Sequence, residues 1–153
     1  MGRILEFLTV NVATPDLDGT VEKWRKLGLA TLPPTRMPQP PIEIIDVTLP
    51  VGPLGAISVI APTGTNSPVH RFLEKRGAGA YSIAVRVDSL AEVMMEWAAA
   101  GIEWVLPAPH ELPPRTPAGR YTPDKLKVNW VKPAALSGIM LEVFEFVGRV
   151  EHH

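Results

Sequence analysis

The chain has 153 residues, of which 46% are hydrophobic and 20% are charged, and its formal net charge is −1 at pH 7. This composition is typical of an ordinary soluble globular protein with a core of its own. Without a basic excess, the chain is not expected to bind nucleic acid or an anionic membrane. Cysteine is absent, which excludes disulfides, thiolate metal sites and a cysteine nucleophile.

The sequence carries no pattern of a targeted or membrane-inserted protein. No run of about 18 apolar residues is present, so we expect no membrane span. The first residues lack the charged segment, apolar stretch and small-residue cleavage site of a signal peptide, which predicts a cytoplasmic protein. Residues 151–153 are Glu-His-His, which we interpret as the start of a purification tag and leave out of the functional reasoning.

Two parts of the chain share one pattern of strand, turn and helix. Residues 6–29 match residues 79–102, with Leu17 corresponding to Leu90 and Trp24 to Trp97. Apolar residues alternate in the strand and recur at helical spacing after the turn, and Asp16 or Asp18 is a candidate helix cap. This repeat predicts two modules built alike and packed as a pair.

Each module is predicted to have the element order β-α-β-β-β within a single domain over residues 1–150. Module one covers residues 4–62, module two covers residues 79–147, and residues 63–78 form a connector with a short helix. The predicted strands of the two modules are 4–13, 29–32, 42–49 and 56–61, then 81–87, 103–106, 126–132 and 138–147. The 17 prolines concentrate in two expected loops, residues 33–41 and 107–125.

Neither module alone has enough strands to close a small sheet. We therefore expect an α+β fold in which the two modules form one curved mixed sheet, with the helices outside. The inner, concave face of such a sheet is where a ligand would bind.

Several segments resemble one known superfamily. They are SPVHRFLEKRGAGAYSIAVRVDSL at residues 67–90, the preceding ISVIAPTG, the following AAAGIEWV, and GIMLEVFE at residues 138–145. This pattern resembles the vicinal oxygen chelate superfamily, which includes glyoxalases, bleomycin-resistance proteins and extradiol dioxygenases. Within it, the middle of the chain is most similar to methylmalonyl-CoA epimerases. The resemblance implies the paired-module fold and a homodimer that binds a small molecule.

The resemblance also identifies four positions that hold a divalent metal ion in metal-dependent relatives. In this sequence they are Thr9, Ser58, Ser82 and Glu142, and only Glu142 is of a usual ligand type. Hard divalent ions prefer carboxylates, imidazoles or several carbonyl oxygens to neutral hydroxyls. We therefore predict no metal site and no cofactor.

Three acidic residues are candidates for catalysis. Glu142 is flanked by apolar residues, so burial would favour its use as a general base; alternatively, it is a structural hydrogen-bond partner of Thr9 or Ser82. Glu43 and Asp46 lie on the expected third strand, where the epimerases keep a second acid. They point to opposite faces, so only one of them can face a ligand.

Further residues are candidates for ligand binding. Arg86 shares a strand face with Ser82, and His110 lies in a proline-rich loop that is able to close as a lid. Aromatic residues such as Tyr81, Trp104 and Trp130 are suited to an apolar pocket, although on strands they more often belong to the core. The full set of predicted ligand-binding residues is Thr9, Asn11, Ser58, Ser82, Arg86, Tyr81, Trp130, Lys132 and His110.

Three functions remain open. The first is a metal-independent enzyme that moves a proton next to a carbonyl of a small oxygenated molecule or acyl thioester, as an epimerase, isomerase, cyclase or lyase. The second is a non-catalytic protein that sequesters a small molecule of antibiotic type. The third is a metal-dependent epimerase with compensating ligands.

Overall fold

A computed structural model describes residues 1–40, 42–113 and 115–153 of the chain. Within these residues the chain forms eight strands and three α-helices. In chain order they are β1 (Ile4–Ala13), α1 (Leu17–Arg25), β2 (Thr35–Met37), β3 (Ile44–Val51), β4 (Gly55–Pro62), α2 (Pro68–Arg76), β5 (Gly79–Val87), α3 (Leu90–Ala99), β6 (His110–Leu112), β7 (Tyr121–Val131) and β8 (Met140–His152). The α+β class and the order β-α-β-β-β in each module are confirmed.

The chain divides into two compact units. The central unit is Thr9–Tyr81, and the terminal unit consists of Met1–Leu8 together with Ser82–His153. The division falls inside β1, so the first residues of that strand belong to the terminal unit. No helix in the described part of the chain is long and apolar enough to cross a membrane.

The central unit is a sheet in the order β2-β3-β4-β1 with α1 on one face. Strands β1 and β4 are parallel, whereas β3 runs antiparallel to both β2 and β4. Helix α1 begins at its N-cap Asp16, whose carboxylate accepts a hydrogen bond from the N–H of Gly19 at 3.1 Å. Its partly buried apolar residues, including Leu17 and Trp24, pack on Val47 and Val59.

Helix α2 packs at a second apolar cluster of the central unit. It begins at Ser67, which is fully buried and accepts a hydrogen bond from the N–H of Val69. Val69 packs on Ala13 of β1 and Ile60 of β4. The alternation of side chains along a strand therefore places Ile60 on the face opposite Val59 and α1.

In the terminal unit β5, β8, β7 and β6 follow one another in the sheet. Strands β5 and β8 are parallel, and the other neighbours are antiparallel. Helix α3 covers one face, where Val85, Val131 and Val143 pack with the helix residues Leu90 and Val93. All but Val85 are at most 1% exposed, so this contact is fully buried.

The elements depart from the sequence prediction where prolines are dense. The expected loop 33–41 contains β2, whereas the expected strand 29–32 is irregular; Pro41 lies outside the described residues. The expected strand 103–106 is reduced to one bridge between Trp104 and Val131. The expected loop 107–125 contains β6 and the start of β7, and Pro114 lies outside the described residues.

The last strand is also longer than predicted. It continues beyond residue 147 to His152, because Tyr121 and Thr122 of β7 pair with His152 and Glu151. Two of the three residues interpreted as a tag remnant are therefore strand residues in this structure.

The start of α3 depends on a side chain from β8, which leads to a test of the packing. Glu145 accepts a hydrogen bond from the N–H of Leu90 at Oε2 at 2.9 Å, next to the N-cap Ser89. A carboxylate at a helix N-terminus satisfies a free N–H and interacts favourably with the helix dipole.

We predict that Glu145→Ala lowers the free energy of unfolding by about 1 kcal/mol, measured by urea denaturation. Glu151→Ala is the matched control, because the side chain of this exposed β8 glutamate forms an ion pair with Arg149 on its own strand and is remote from the start of α3. Equal stability of the two variants would contradict the capping role.

Candidate active site

One face of the terminal-unit sheet carries the main candidates. Since Val85 and Val143 face α3, the alternate residues of the same strands face the other way. On β5 these are Ser82, Ala84 and Arg86; on β8 the series includes Glu142. We call this surface, opposite α3, the polar face.

Glu142 and Trp130 form the first contact on the polar face. They are paired across β7 and β8, and the indole N–H of Trp130 donates to Oε2 of Glu142 at 2.8 Å. Both side chains are half-buried. On its other side Glu142 is in register with Ala84 of β5. The neighbouring Ser82 is buried, with 2% exposure.

A second polar cluster lies at the other end of this face. Glu6 of β1 accepts two hydrogen bonds, at Oε1 from Arg86 Nη1 at 3.2 Å and at Oε2 from the Tyr121 hydroxyl at 2.7 Å. The guanidinium carbon of Arg86 lies 4.5 Å from the ring centre of Phe146 and 5.5 Å from that of Tyr121. We call Glu6, Arg86, Tyr121 and Phe146 the arginine cluster.

Burial raises the pKa of Tyr121 above its ordinary value of 10.0, and the hydrogen bond and negative charge of Glu6 raise it further. The positive charges of Arg120 and Arg86 oppose this shift in part. Tyr121 is therefore a neutral hydrogen-bond donor at physiological pH and not a base.

Four predicted residues lie together in the central unit. Thr9, Asn11, Asp46 and Ser58 are each at most 7% exposed. The Thr9 hydroxyl donates to Asn11 Oδ1 at 2.8 Å, and the Ser58 hydroxyl donates to Asp46 Oδ2 at 3.4 Å. Asn11 and Ser58 are in register on β1 and β4. These residues form a buried polar patch with internal hydrogen bonds, in addition to the two apolar clusters of this unit.

Glu43 lies one residue before β3, not on that strand as the sequence predicted. Its backbone φ is +38°, in a region that is sparsely populated for residues other than glycine. Its Oε2 atom is buried and has no hydrogen-bond partner within the described residues. A strained backbone and an unsatisfied carboxylate oxygen are both features that concentrate at functional sites.

Three other predicted residues have surroundings that differ from a ligand-binding face. Tyr81 packs edge-on against Phe72 of α2, with ring centres 5.0 Å apart. Lys132 is half-exposed and forms an ion pair with Glu103 at 3.2 Å. His110 lies on β6, an exposed position at the edge of the sheet, and not in a loop.

Trp104 lines an apolar groove, but on the α3 side of the terminal unit. Its ring stacks on Trp97 with the ring centres 5.5 Å apart. The groove has a volume of about 670 Å³ and also contacts Met94, Met95 and Pro107. The fully buried Asn129 holds one wall of the groove in place. Its Oδ1 atom accepts a hydrogen bond from the N–H of Leu106, and its Nδ2 group donates one to the Leu106 carbonyl, both at 3.0 Å.

The metal ligands that the resemblance would require are not of a suitable type. Three of the four positions carry hydroxyl side chains, and hydroxyls bind hard divalent ions weakly. Among the residues described here, no three histidine, aspartate or glutamate side chains come together at a spacing suited to a metal ion. The donor set at these positions therefore does not fit the metal of the metal-dependent relatives.

The arginine cluster suggests a titration that tests its geometry. The chain has two tyrosines, so Tyr81→Phe leaves Tyr121 as the one phenol that is followed by ultraviolet absorbance. In that background we predict a pKa of Tyr121 above 10.0, and a lower one in Glu6→Gln, because the variant removes the negative charge beside the phenol.

The free energy of unfolding should also depend on the ionisation of Tyr121. Since the pKa of Tyr121 is higher in the folded than in the unfolded protein, its contribution to this free energy is complete below about pH 10. The contribution is lost as the pH rises through the folded pKa. Glu111→Gln on β6 is the control and should leave both measurements unchanged. A Tyr121 pKa that does not respond to Glu6→Gln would contradict the cluster.

Comparison with solved structures shows the same fold at low sequence identity. Methylmalonyl-CoA epimerase from Mycobacterium tuberculosis matches with a TM-score of 0.78 and 22% identity, covering 95% of this chain and 90% of that chain. A hypothetical protein from Bacillus halodurans C-125 matches with a TM-score of 0.77 and 20% identity, covering 97% and 96% of the two chains.

A variant of Streptomyces coelicolor methylmalonyl-CoA epimerase, in complex with 2-nitronate-propionyl-CoA, matches with a TM-score of 0.78 and 17% identity over 95% of this chain and all of that one. Identities this low establish the fold alone. A comparison with curated protein sequences finds no match.

The sequence itself matches a family model over residues 10–119, which is well over half of the chain. This match includes the central unit and the start of the polar face, and it agrees with the repeated strand–helix pattern. The chain belongs to the Glyoxalase/Bleomycin resistance protein/Dioxygenase superfamily.

Proposed function

We propose that this protein is a metal-independent enzyme in which Glu142 transfers a proton next to a carbonyl group of a small oxygenated molecule or acyl thioester. The proposal is based on the hydrogen bond that the Trp130 indole N–H donates to one carboxylate oxygen of the half-buried Glu142. A general base must be held in a fixed orientation toward the proton that it removes. The Trp130 indole N–H supplies such an orientation for the Glu142 carboxylate.

The proposed step removes a proton from the carbon next to the carbonyl. The proton moves to Glu142, and the electron pair of the carbon–hydrogen bond forms an enolate whose negative charge lies on the carbonyl oxygen. Delivery of a proton by a second acid to the opposite side of the carbon gives an epimer and leaves the removed proton on Glu142. Return of the proton from Glu142 to another atom of the enolate gives an isomer. Expulsion of a neighbouring leaving group gives a lyase reaction.

The choice of an acyl thioester as one substrate class comes from the structural relatives. Two of the three relatives described above are methylmalonyl-CoA epimerases, and one of these was solved with 2-nitronate-propionyl-CoA.

Glu43 and Asp46 remain candidates for a second acid. Cytoplasmic location and a homodimer also remain predictions from the sequence.

A binding protein without catalysis is the second candidate. The same hydrogen bond favours it, because an indole donor also satisfies a carboxylate whose role is purely structural.

A metal-dependent epimerase is the third candidate. Chelator treatment separates it from our proposal: a turnover that is lost in chelator and restored by a divalent ion would support the third candidate.

We predict that Glu142→Gln reduces turnover by about 100-fold or more, because general acid–base catalysis contributes about that much. The measurement is the incorporation of deuterium from heavy water next to the thioester carbonyl of methylmalonyl-CoA and other acyl-CoA compounds. Glu111→Gln, an exposed glutamate on β6, is the matched control. Full exchange by Glu142→Gln would refute the assignment.

The orienting role of Trp130 predicts a separate effect. Trp130→Phe removes the N–H but keeps an aromatic ring, so we expect kcat to fall by about tenfold with little change in KM. Trp104→Phe is the control on the α3 side of the unit. A change in KM alone would assign Trp130 to ligand binding and not to positioning.

A further inference from the structure

We propose that the substrate carries a carboxylate group, and that Arg86 binds it. This inference rests on the proposed function, because it assumes that chemistry takes place at Glu142 on the polar face. It names the class of molecule that this face recognises, namely an organic acid or an acyl thioester with a free carboxylate.

The first observation concerns the hydrogen-bond donors of Arg86. Its Nη1 donates to Glu6, and 24% of the side chain is exposed. Its Nε is buried and meets no acceptor in the described part of the chain. Buried donors without acceptors are rare in native proteins, and each one needs a physical explanation. A ligand oxygen next to Nε supplies the acceptor that the protein does not.

The second observation is that the guanidinium is held in place. The Phe146 and Tyr121 rings lie against it, and Glu6 is itself fixed by the Tyr121 hydroxyl. With Nη1 occupied by Glu6, the side of the guanidinium formed by Nε and Nη2 carries two parallel N–H groups. This pair matches the two oxygens of a carboxylate, and a preorganised fork of this kind loses little entropy on binding.

The third observation is the position of Arg86 relative to Glu142. Ala84 is in register with Glu142, and Arg86 is two residues further along β5 on the same face. From the spacing of neighbouring strands and the rise per residue, the two Cα atoms are roughly 8 Å apart. A ligand whose carboxylate lies several bonds from its reactive carbon is therefore able to contact both side chains.

Partial burial favours a carboxylate over a phosphate group at this position. The charges alone do not, because Arg86 and Arg120 are both positive and Glu6 is negative; the Arg120 guanidinium carbon is 5.3 Å from the Tyr121 ring centre. A dianionic phosphate would have about twice the attraction to the arginines, but its desolvation cost grows with the square of its charge and is about four times that of a singly charged carboxylate. Because 24% of the Arg86 side chain is exposed, the ligand must lose much of its hydration to bind.

The test uses nuclear magnetic resonance of the Arg86 Nε–H group in nitrogen-15-labelled protein, with the signal assigned by its loss in Arg86→Lys. Succinate, its diamide and inorganic phosphate are added in turn. We expect succinate to shift this signal and to saturate, and neither succinamide nor phosphate to do so. A similar shift with the diamide, or tighter binding of phosphate than of succinate, would overturn the proposal.

Two variants with opposite expected effects separate binding from structure. Succinate binding to the variants is measured by isothermal titration calorimetry, because the Arg86 signal is absent from Arg86→Lys. This variant should weaken succinate binding by at least about tenfold, because it removes the paired N–H groups. Glu6→Gln should strengthen it, because it removes the competing negative charge. Arg149→Lys, on an exposed part of β8, is the control. Unchanged binding in both cluster variants, with folding verified by thermal unfolding, would also overturn the proposal.

The inference and the proposed function fail independently. If Glu142→Gln abolishes deuterium exchange but succinate does not act on Arg86, the inference alone is wrong. If succinate binds through Arg86 but Glu142→Gln retains full turnover, the proposed function is wrong and Arg86 belongs to a binding site.

Discussion

The packing of α3 on one side of β5, β7 and β8 is the constraint on which the rest of the terminal unit depends. Leu90 and Val93 have no exposed surface and contact Val85 and Val143, which fixes the orientation of each strand. Because side chains alternate along a strand, every residue between these contacts must face away from the helix. The apolar packing thus determines where the polar side chains Glu142 and Arg86 lie, although it makes no contact with them.

Much of this arrangement was predictable from the sequence, and the exceptions have physical causes. The repeat and the hydrophobic pattern predicted the modules and the shared face of Ser82 and Arg86. Glu6 was missed because β1 changes phase. Leu8 and Thr9 are both buried, so the burial alternation shifts by one residue, and a strict period of two places Glu6 on the wrong face. Tyr121 was missed because the proline-rich segment 107–125 was expected to be a loop, whereas β7 begins at Tyr121 and continues through a register shift between Pro123 and Lys125.

The polar face combines two groups with different kinds of support. Glu142 accepts a hydrogen bond from the Trp130 indole of the neighbouring strand, which orients the carboxylate. Arg86 is held by an ion pair and two aromatic rings, which suits recognition of a fixed charge. The chain belongs to the superfamily, and we propose that the Glu142 carboxylate and the Arg86 guanidinium act there without a metal ion.

The central claim is that Glu142 faces the carbon that loses its proton. A crystal structure of this protein with 2-nitronate-propionyl-CoA, the ligand of a structural relative, tests it most directly. We predict a Glu142 carboxylate oxygen within about 3.5 Å of the carbon next to the carbonyl, with the Trp130 N–H still bound to the other oxygen. A ligand bound in contact with other acids, with Glu142 turned away from that carbon, would contradict the account.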